Sequence, residues 1–214
     1  MIMLLIGKFE RRLRQRRGVI HVGAHEGQER IWYRKYRFHP VLWFEPNPQL
    51  YERLLVNISL PPYKDQNHSA YNVGIHDTLN KAILHISSND GQSSSILDLG
   101  LHADIYPKVK YVRDVEIDLM RIDSFFENSN KDINDYNMLN VDVQGVELNV
   151  MKSFGDLIGK LDYVYAEINK AELYKGCALL GEIDEYLDRF GFIRSITETH
   201  NKWGDAFYIK KHLV

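Results

Sequence analysis

The sequence predicts an α/β fold, a mostly parallel sheet with helices on both faces, on three observations. From residue 18 onward, apolar runs of strand length alternate with segments of helical period. The 214-residue chain is 44% hydrophobic and 26% charged, which is enough apolar material to bury a full core. Its last two apolar runs, Phe192–Thr197 and Ala206–Lys210, are close enough to pair antiparallel, whereas ordinary dinucleotide-binding sheets stay parallel to the edge. Residues 18–214 are read as one domain behind a basic lead-in helix over residues 1–17.

In that lead-in, Met1 to Ile6 precede Arg11, Arg12, Arg14, Arg16 and Arg17. A signal peptide has the opposite order, and no later run is long enough to span a bilayer. The segment is expected to pack on the domain or join an upstream domain rather than attach to an anionic membrane, and a homo-oligomer is the other partner expected. With 27 basic and 29 acidic side chains, the net charge of −2 supplies no field that would recruit nucleic acid. The single Cys177 cannot form an intrachain disulfide, so the cytoplasm is the expected compartment.

Gly18–Val22 reads as a buried strand, followed by a helix from about Gly27 to Tyr36. Val41–Phe44 is a second buried strand, and Pro48 opens a helix through Tyr51, Leu54 and Leu55. Pro61 and Pro62 force a loop. His68–Ile75 and Ala82–Ser87 are shorter strands with Asp77–Asn80 as the turn. NDGQSSS then opens a long irregular segment reaching about Lys110, of a length usually found in lids and binding loops. Val112–Leu119 is a strand and Ile122–Glu127 a short helix. In the second half, Tyr136–Val141 is a central strand, Val146–Phe154 its helix and Tyr163–Ile168 the next strand. A helix over Ile183–Phe190 stops at Gly191, before the closing pair of strands and the loop ETHNKWGD between them.

Ligands of open α/β sheets bind at the turns beyond the carboxyl ends of the strands. VIHVGAHEGQE, residues 19–29, is such a turn, with Gly23 and Gly27 between a buried strand and a helix. Glu45, ending the second strand in LWFEPNP, stands where a carboxylate would reach a ribose diol. Charge selects the cofactor. A pyrophosphate wants bare backbone donors, but this loop places Glu26 and Glu29 in the opening helix turn and lacks the full GxGxxG spacing. S-adenosylmethionine has no phosphates and carries a sulfonium and an ammonium, so acidic surroundings favour it over a nicotinamide.

Several segments resemble the FkbM family of methyltransferases over roughly residues 18–210. They are VIHVGAHEGQE, FEPNPQLYERL, NVGIHD, the run SSS before an apolar residue, LNVDVQGVELNVMKSF, and the late GF and WGDAFYI. The most specific is VDVQGVE at 141–147. The resemblance implies a class I methyltransferase fold, Rossmann-like, with a seven-stranded sheet ending in an antiparallel hairpin. It also implies S-adenosylmethionine-dependent O-methylation of sugar or secondary-metabolite hydroxyls. Carried onto this sequence, it assigns Gly23, Ala24, His25, Gly27, Gln28, Glu45, Pro46, Asn47, Asn72, Val73, Asp142, Val143 and Gln144 to the cofactor. His25 departs from the asparagine usual there, and a neutral imidazole offers only one donor and one acceptor.

Methyl transfer to oxygen needs in-line positioning and removal of the hydroxyl proton. Positioning is worth roughly 7–11 kcal/mol, while a general base adds about 10²–10⁴ in rate. Asp142 ends the strand MLNVD and is the first base expected, ahead of His200 in the hairpin loop. Glu167, ending YAEIN, lies beside Asp142 if their strands are adjacent. With Asn169 the two carboxylates would make an oxygen set for magnesium or manganese, although the spacing is not diagnostic, and a metal-free base is preferred. Glu147 is expected not to reach the site. The acceptor, read as a saccharide or glycan, would be framed by Ser94 and Ser95 of the long segment and by Tyr174 and Trp203. The rivals are an NAD(P)-dependent Rossmann oxidoreductase and a non-catalytic binding module on the same fold.

Overall fold

The computed structural model describes residues 13, 15–64, 67–78 and 80–214. The expected lead-in helix falls largely outside them; of its end, Leu13 is buried in the core and the Arg17 N–H donates to Asn137 Oδ1 at 3.0 Å. In chain order come β1 (Gly18–Val22), α1 (Arg30–Lys35), β2 (Val41–Phe44), α2 (Pro48–Ser59), β3 (His68–Tyr71), β4 (Gly74–Ile75) and β5 (Lys81–Ser87). Then follow α3 (His102–Ile105), β6 (Tyr111–Met120), α4 (Ile122–Asn128), β7 (Tyr136–Val141) and α5 (Glu147–Lys152). The chain closes with β8 (Tyr163–Asn169), α6 (Leu180–Asp188), β9 (Phe192–His200) and β10 (Trp203–Lys210).

Seven strands form the main sheet in the order β3-β2-β1-β7-β8-β10-β9. All neighbours are parallel except β10, which runs antiparallel to both β8 and β9. Every residue of β1, β2, β7 and β8 is buried, the continuous burial expected of central parallel strands covered on both faces. Helix α2 starts where Asn47 caps it, Oδ1 accepting from the Gln49 N–H at 3.1 Å with Pro48 next, and its Leu50, Leu54 and Ile58 repeat every fourth residue against the core. Even the imidazole in mid-strand is satisfied: His21 Nδ1 meets the Tyr33 hydroxyl at 3.0 Å, and burial pulls its pKa down to about 3, so it stays neutral.

Several expected boundaries move for local reasons. The first helix begins at Arg30 rather than near Gly27, because His25 and Gly27 hold positive φ and keep the preceding turn open. The expected strand His68–Ile75 is two strands, since the Asn72 amide turns back to the Glu45 and Pro46 carbonyls and sends Gly74–Ile75 into a second, three-stranded sheet of order β4-β6-β5. The closing hairpin is longer than expected. Only Asn201 and Lys202 lie between β9 and β10, and Asn201 tolerates the left-handed φ of 59° that so tight a turn needs. The long segment after Ser87 carries α3 and is bonded along its length. Ser94 Oγ accepts from the Ser87 N–H at 3.0 Å, and Gly100 and His102 donate to the Leu173 carbonyl at 2.8 and 3.1 Å. Among the described residues no helix is long and apolar enough to cross a membrane.

Candidate functional site

A cleft of about 610 Å³ opens over the carboxyl ends of β1, β2, β7 and β8. Its floor begins with a forced close approach. Gly23 has φ of 80°, and a Cβ there would lie 1.8 Å from the Asp142 carbonyl oxygen. Only glycine lets the ends of β1 and β7 meet so closely. Gly27 answers to packing instead, for its Cβ would strike Leu54 at 2.5 Å. His25, at φ of 50°, spans from this loop to the long segment. Gln28 Nε2 donates to its Nδ1 at 2.9 Å, which leaves Nε2–H to donate to the Asp90 carbonyl at 2.9 Å.

Glu45 is held by backbone at the end of β2. Its Oε2 accepts from the His25 N–H at 2.7 Å and its Oε1 from the Asn47 N–H at 2.8 Å. Burial raises its pKa to about 7 against the opposing pull of those two donors. Across the floor, Gln144 ties the two central strand ends together. Its Nε2 donates to Asp142 Oδ1 at 2.6 Å and to Glu167 Oε2 at 2.8 Å, while its Oε1 accepts from the Tyr174 hydroxyl at 2.6 Å. Gln144 can do this because φ of 57° turns it inward and Ser95 Oγ donates to its carbonyl at 2.7 Å. Burial, with Asp142 and Glu147 nearby, pushes the Glu167 carboxyl well above its usual range.

Of the residues expected in the site, Gly23, His25, Gln28, Glu45, Pro46, Asn47, Ser94, Asp142, Val143, Gln144, Glu167, Tyr174 and Trp203 line the cleft. Seven others do not form its wall. Ala24 is buried in the core, Val73 packs against it, and Asn72 acts from behind through the Glu45 carbonyl. Gly27 and Ser95 support the loops, as above. Asn169 is fully buried with both side-chain polar atoms unpaired among the described residues, and His200 stands at the exposed end of β9 with its ring 5.7 Å from that of Trp203. Glu147, expected outside the site, is fully buried behind it, where its Oε1 accepts from the Val143 and Gly145 N–H groups at 3.2 and 3.0 Å.

Sequence reasoning missed Asp205, Tyr165, His102 and Tyr106, all in the cleft wall. Asp205 is the register partner of Glu167 across the β8–β10 pair, and burial raises its pKa to about 6. The signal was present in WGDAF, but a loop assignment for residues 198–205 hid its alternation with Trp203. Among the described residues, Glu29, Glu45, Asp142, Glu167 and Asp205 give the cleft five carboxyl groups, and no lysine or arginine lines it. Among the described residues no group of three His, Cys, Asp or Glu side chains is placed to hold a metal ion. Between Asp142 and Glu167 the position a cation would take is filled by the Gln144 amide nitrogen.

Four similarities bear on this arrangement. The methyltransferase FkbM domain model matches residues 21–194. The 2-O-methyltransferase NoeI of Sinorhizobium fredii is 24% identical over 182 residues, covering 82% of this chain and 72% of its own. The crystal structure of methyltransferase FkbM from Methylobacillus flagellatus KT superposes with a TM-score of 0.58 at 13% identity, over 91% of this chain but only 43% of that one. Magnesium protoporphyrin IX methyltransferase from Synechocystis PCC 6803, solved with bound S-adenosylmethionine, gives a TM-score of 0.54 at 8% identity over 98% of this chain and 78% of its own. The two solved structures share the fold, that of class I methyltransferases. With four-fifths of the chain inside the domain match and the seven-stranded sheet in place, the chain belongs to the FkbM methyltransferase family.

Proposed function

We propose that the cleft binds S-adenosylmethionine and that the protein transfers its methyl group to a hydroxyl of a saccharide. The cofactor reading is supported above all by the acidic groups Glu29, Glu45 and Asp142 around a cleft that no lysine or arginine among the described residues lines, which suits a sulfonium and an ammonium and opposes a pyrophosphate. Glu45 at the end of β2 receives the ribose hydroxyls, the glycine loop receives the methionine end, and the sulfonium faces the Asp142–Gln144–Glu167 group. Asp142 is the base, since it directly follows β7 and is exposed, whereas burial and neighbouring acids favour the protonated form of Glu167. Glu167 and Gln144 then hold Asp142 in place. Relatedness to a 2-O-methyltransferase favours oxygen as the acceptor atom. Tyr106, Tyr174 and Trp203 beside Ser94 and Gln92 provide the apolar faces and polar edges that a sugar presents in turn. We place the protein in the cytoplasm, in keeping with a lone, unpaired cysteine.

The test has two stages. Calorimetry should show micromolar or tighter binding of S-adenosylmethionine and S-adenosylhomocysteine and none of NAD; binding of NAD alone would replace this reading with an oxidoreductase. A panel of methyl hexosides and short oligosaccharides is then assayed for S-adenosylhomocysteine release. Cofactor binding without turnover on any saccharide would keep the cofactor and remove the acceptor class.

A further inference from the structure

His102 in the cleft wall is buried for a reason the cofactor reading does not supply. It is 5% exposed, lines the cleft from α3, and its Nδ1 has no hydrogen-bond partner among the described residues. Leaving a buried imidazole nitrogen unpaired is unfavourable, so such an atom in a cleft wall points to a ligand that completes it. By contrast Glu45, Gln144, Tyr174 and Trp203 all have partners within the protein. His102 is also well fixed. Its N–H donates to the Leu173 carbonyl at 3.1 Å, and its ring lies 5.0 Å from that of Tyr106 and 5.5 Å from that of Tyr174.

The contacts run on from His102 to the opposite wall. The Tyr106 hydroxyl accepts from Trp203 Nε1 at 2.9 Å, and Trp203 stands two residues from Asp205 on the same face of β10. Asp205 in turn pairs in register with Glu167. An imidazole and a carboxyl therefore meet across one end of the cleft, joined along its side by two aromatic rings, at the end away from Glu45.

We propose that this end is the acceptor subsite, with His102 from α3 and Asp205 from the closing hairpin as its two hydrogen-bonding contacts. The inference rests on the saccharide reading above and adds the residues that select the acceptor. Burial lowers the His102 pKa, so the ring is neutral and offers one donor and one acceptor, the complement of a hydroxyl. Asp205 accepts from a second hydroxyl of the same ring. Vicinal hydroxyls on a pyranose, with an apolar face laid on Trp203 or Tyr106, satisfy all four groups at once.

The experiment uses the full chain, S-adenosylmethionine and the methyl hexoside that turns over best in the panel. His102→Phe keeps the ring packing and deletes both nitrogens; Asp205→Asn keeps the shape and deletes the charge. Each is expected to bind S-adenosylhomocysteine within twofold of the parent protein and to raise the acceptor KM about tenfold or more, with kcat changed by less than about threefold. His102→Gln, which restores a donor and an acceptor, should recover part of the loss. A purely packing role for His102 predicts a normal KM in the Phe variant, and acceptor KM within twofold of the parent in both variants overturns the subsite. If no hexoside binds the S-adenosylhomocysteine complex, the saccharide reading falls and this inference falls with it.

Discussion

The two halves of the cleft are built in different ways. The half proposed for the cofactor is made of short segments whose geometry is local: Gly23, His25 and Gln28 fall within six residues, and Glu45 and Asn47 within three. The half proposed for the acceptor is assembled from α3, the loop after β8 and the closing hairpin, so that His102, Tyr174 and Trp203 meet only in the folded chain. Backbone N–H groups hold the Glu45 carboxyl in the first half, whereas side-chain contacts between separate elements join the second. A change at the cofactor end should therefore disturb fold and binding together, and one at the acceptor end should act on substrate alone.

The largest effect is expected where backbone approaches backbone. Gly23→Ala puts a Cβ 1.8 Å from the Asp142 carbonyl oxygen and forces a left-handed φ on a residue with a side chain. The left-handed conformation costs about 1–2 kcal/mol and overpacking about 1–3 more, so unfolding in denaturant should show a loss of roughly 3 kcal/mol or more. S-adenosylmethionine affinity should vanish with it. Normal affinity in a folded Gly23→Ala protein would separate the loop from the cofactor and erase the contrast between the halves. Asp142→Asn comes next. It should lower kcat by roughly 10²–10⁴ while cofactor affinity changes only a few fold. Equal losses in both would make Asp142 a ligand of the methionine ammonium instead of the base.

The same division decides what could be read from sequence. The central strands were legible because apolar runs continue along β1, β2, β7 and β8, the closing pair because its two runs lie close in sequence, and the glycine turn after β1 because its spacing is local. Asp205 was not, since its meaning depends on register with Glu167 across two strands 38 residues apart in sequence. Nor was His102: nothing in LHADI distinguishes a histidine facing a cleft from one in solvent. Glu147 shows the limit from the other side. Helical periodicity places it outside the site, but only the folded loop reveals that it is buried to receive the Val143 and Gly145 N–H groups.

Glu45 sharpens the comparison at smaller magnitude. Glu45→Ala should weaken S-adenosylmethionine binding by about 1.5–3 kcal/mol, the range for a hydrogen bond to a charged group. Its raised pKa gives a second, acceptor-independent test in the unliganded protein. A carboxyl that titrates near 4.5 unfolded and about 7 folded stabilises the protein below the lower value and loses that contribution as pH rises through the upper one. His21 and His68, lowered to about 3 and about 4, act in the opposite sense, because neutral burial is favoured as pH rises toward 6.5. The difference between the parent and Glu45→Gln removes their share. Whatever the constant offset, the variant should gain relative stability, on the order of 1–3 kcal/mol, between pH 4.5 and 7. A flat difference would mean that Glu45 is ionised throughout.

His200 gives the smallest expected effect, and it tests where the acceptor half ends. Its ring stands 5.7 Å from that of Trp203 at the exposed end of β9, outside the cleft wall. An imidazole in that place has solvent on most sides and no fixed path to a hydroxyl bound beside Asp142. His200→Ala should therefore leave kcat and acceptor KM within about twofold, the size of an ordinary surface substitution, since ±0.5 kcal/mol is about that factor. Chelation should be equally harmless, because the Gln144 amide occupies the space between Asp142 and Glu167 that magnesium or manganese would need. The two results are informative together. Loss of activity on chelation, with restoration by magnesium, would mean that Gln144 swings away when cofactor binds and that the two carboxylates are ligands. Loss on His200→Ala alone would mean that the hairpin tip bends over the acceptor, moving the boundary of the subsite out past Trp203 and making β9 part of the chemistry.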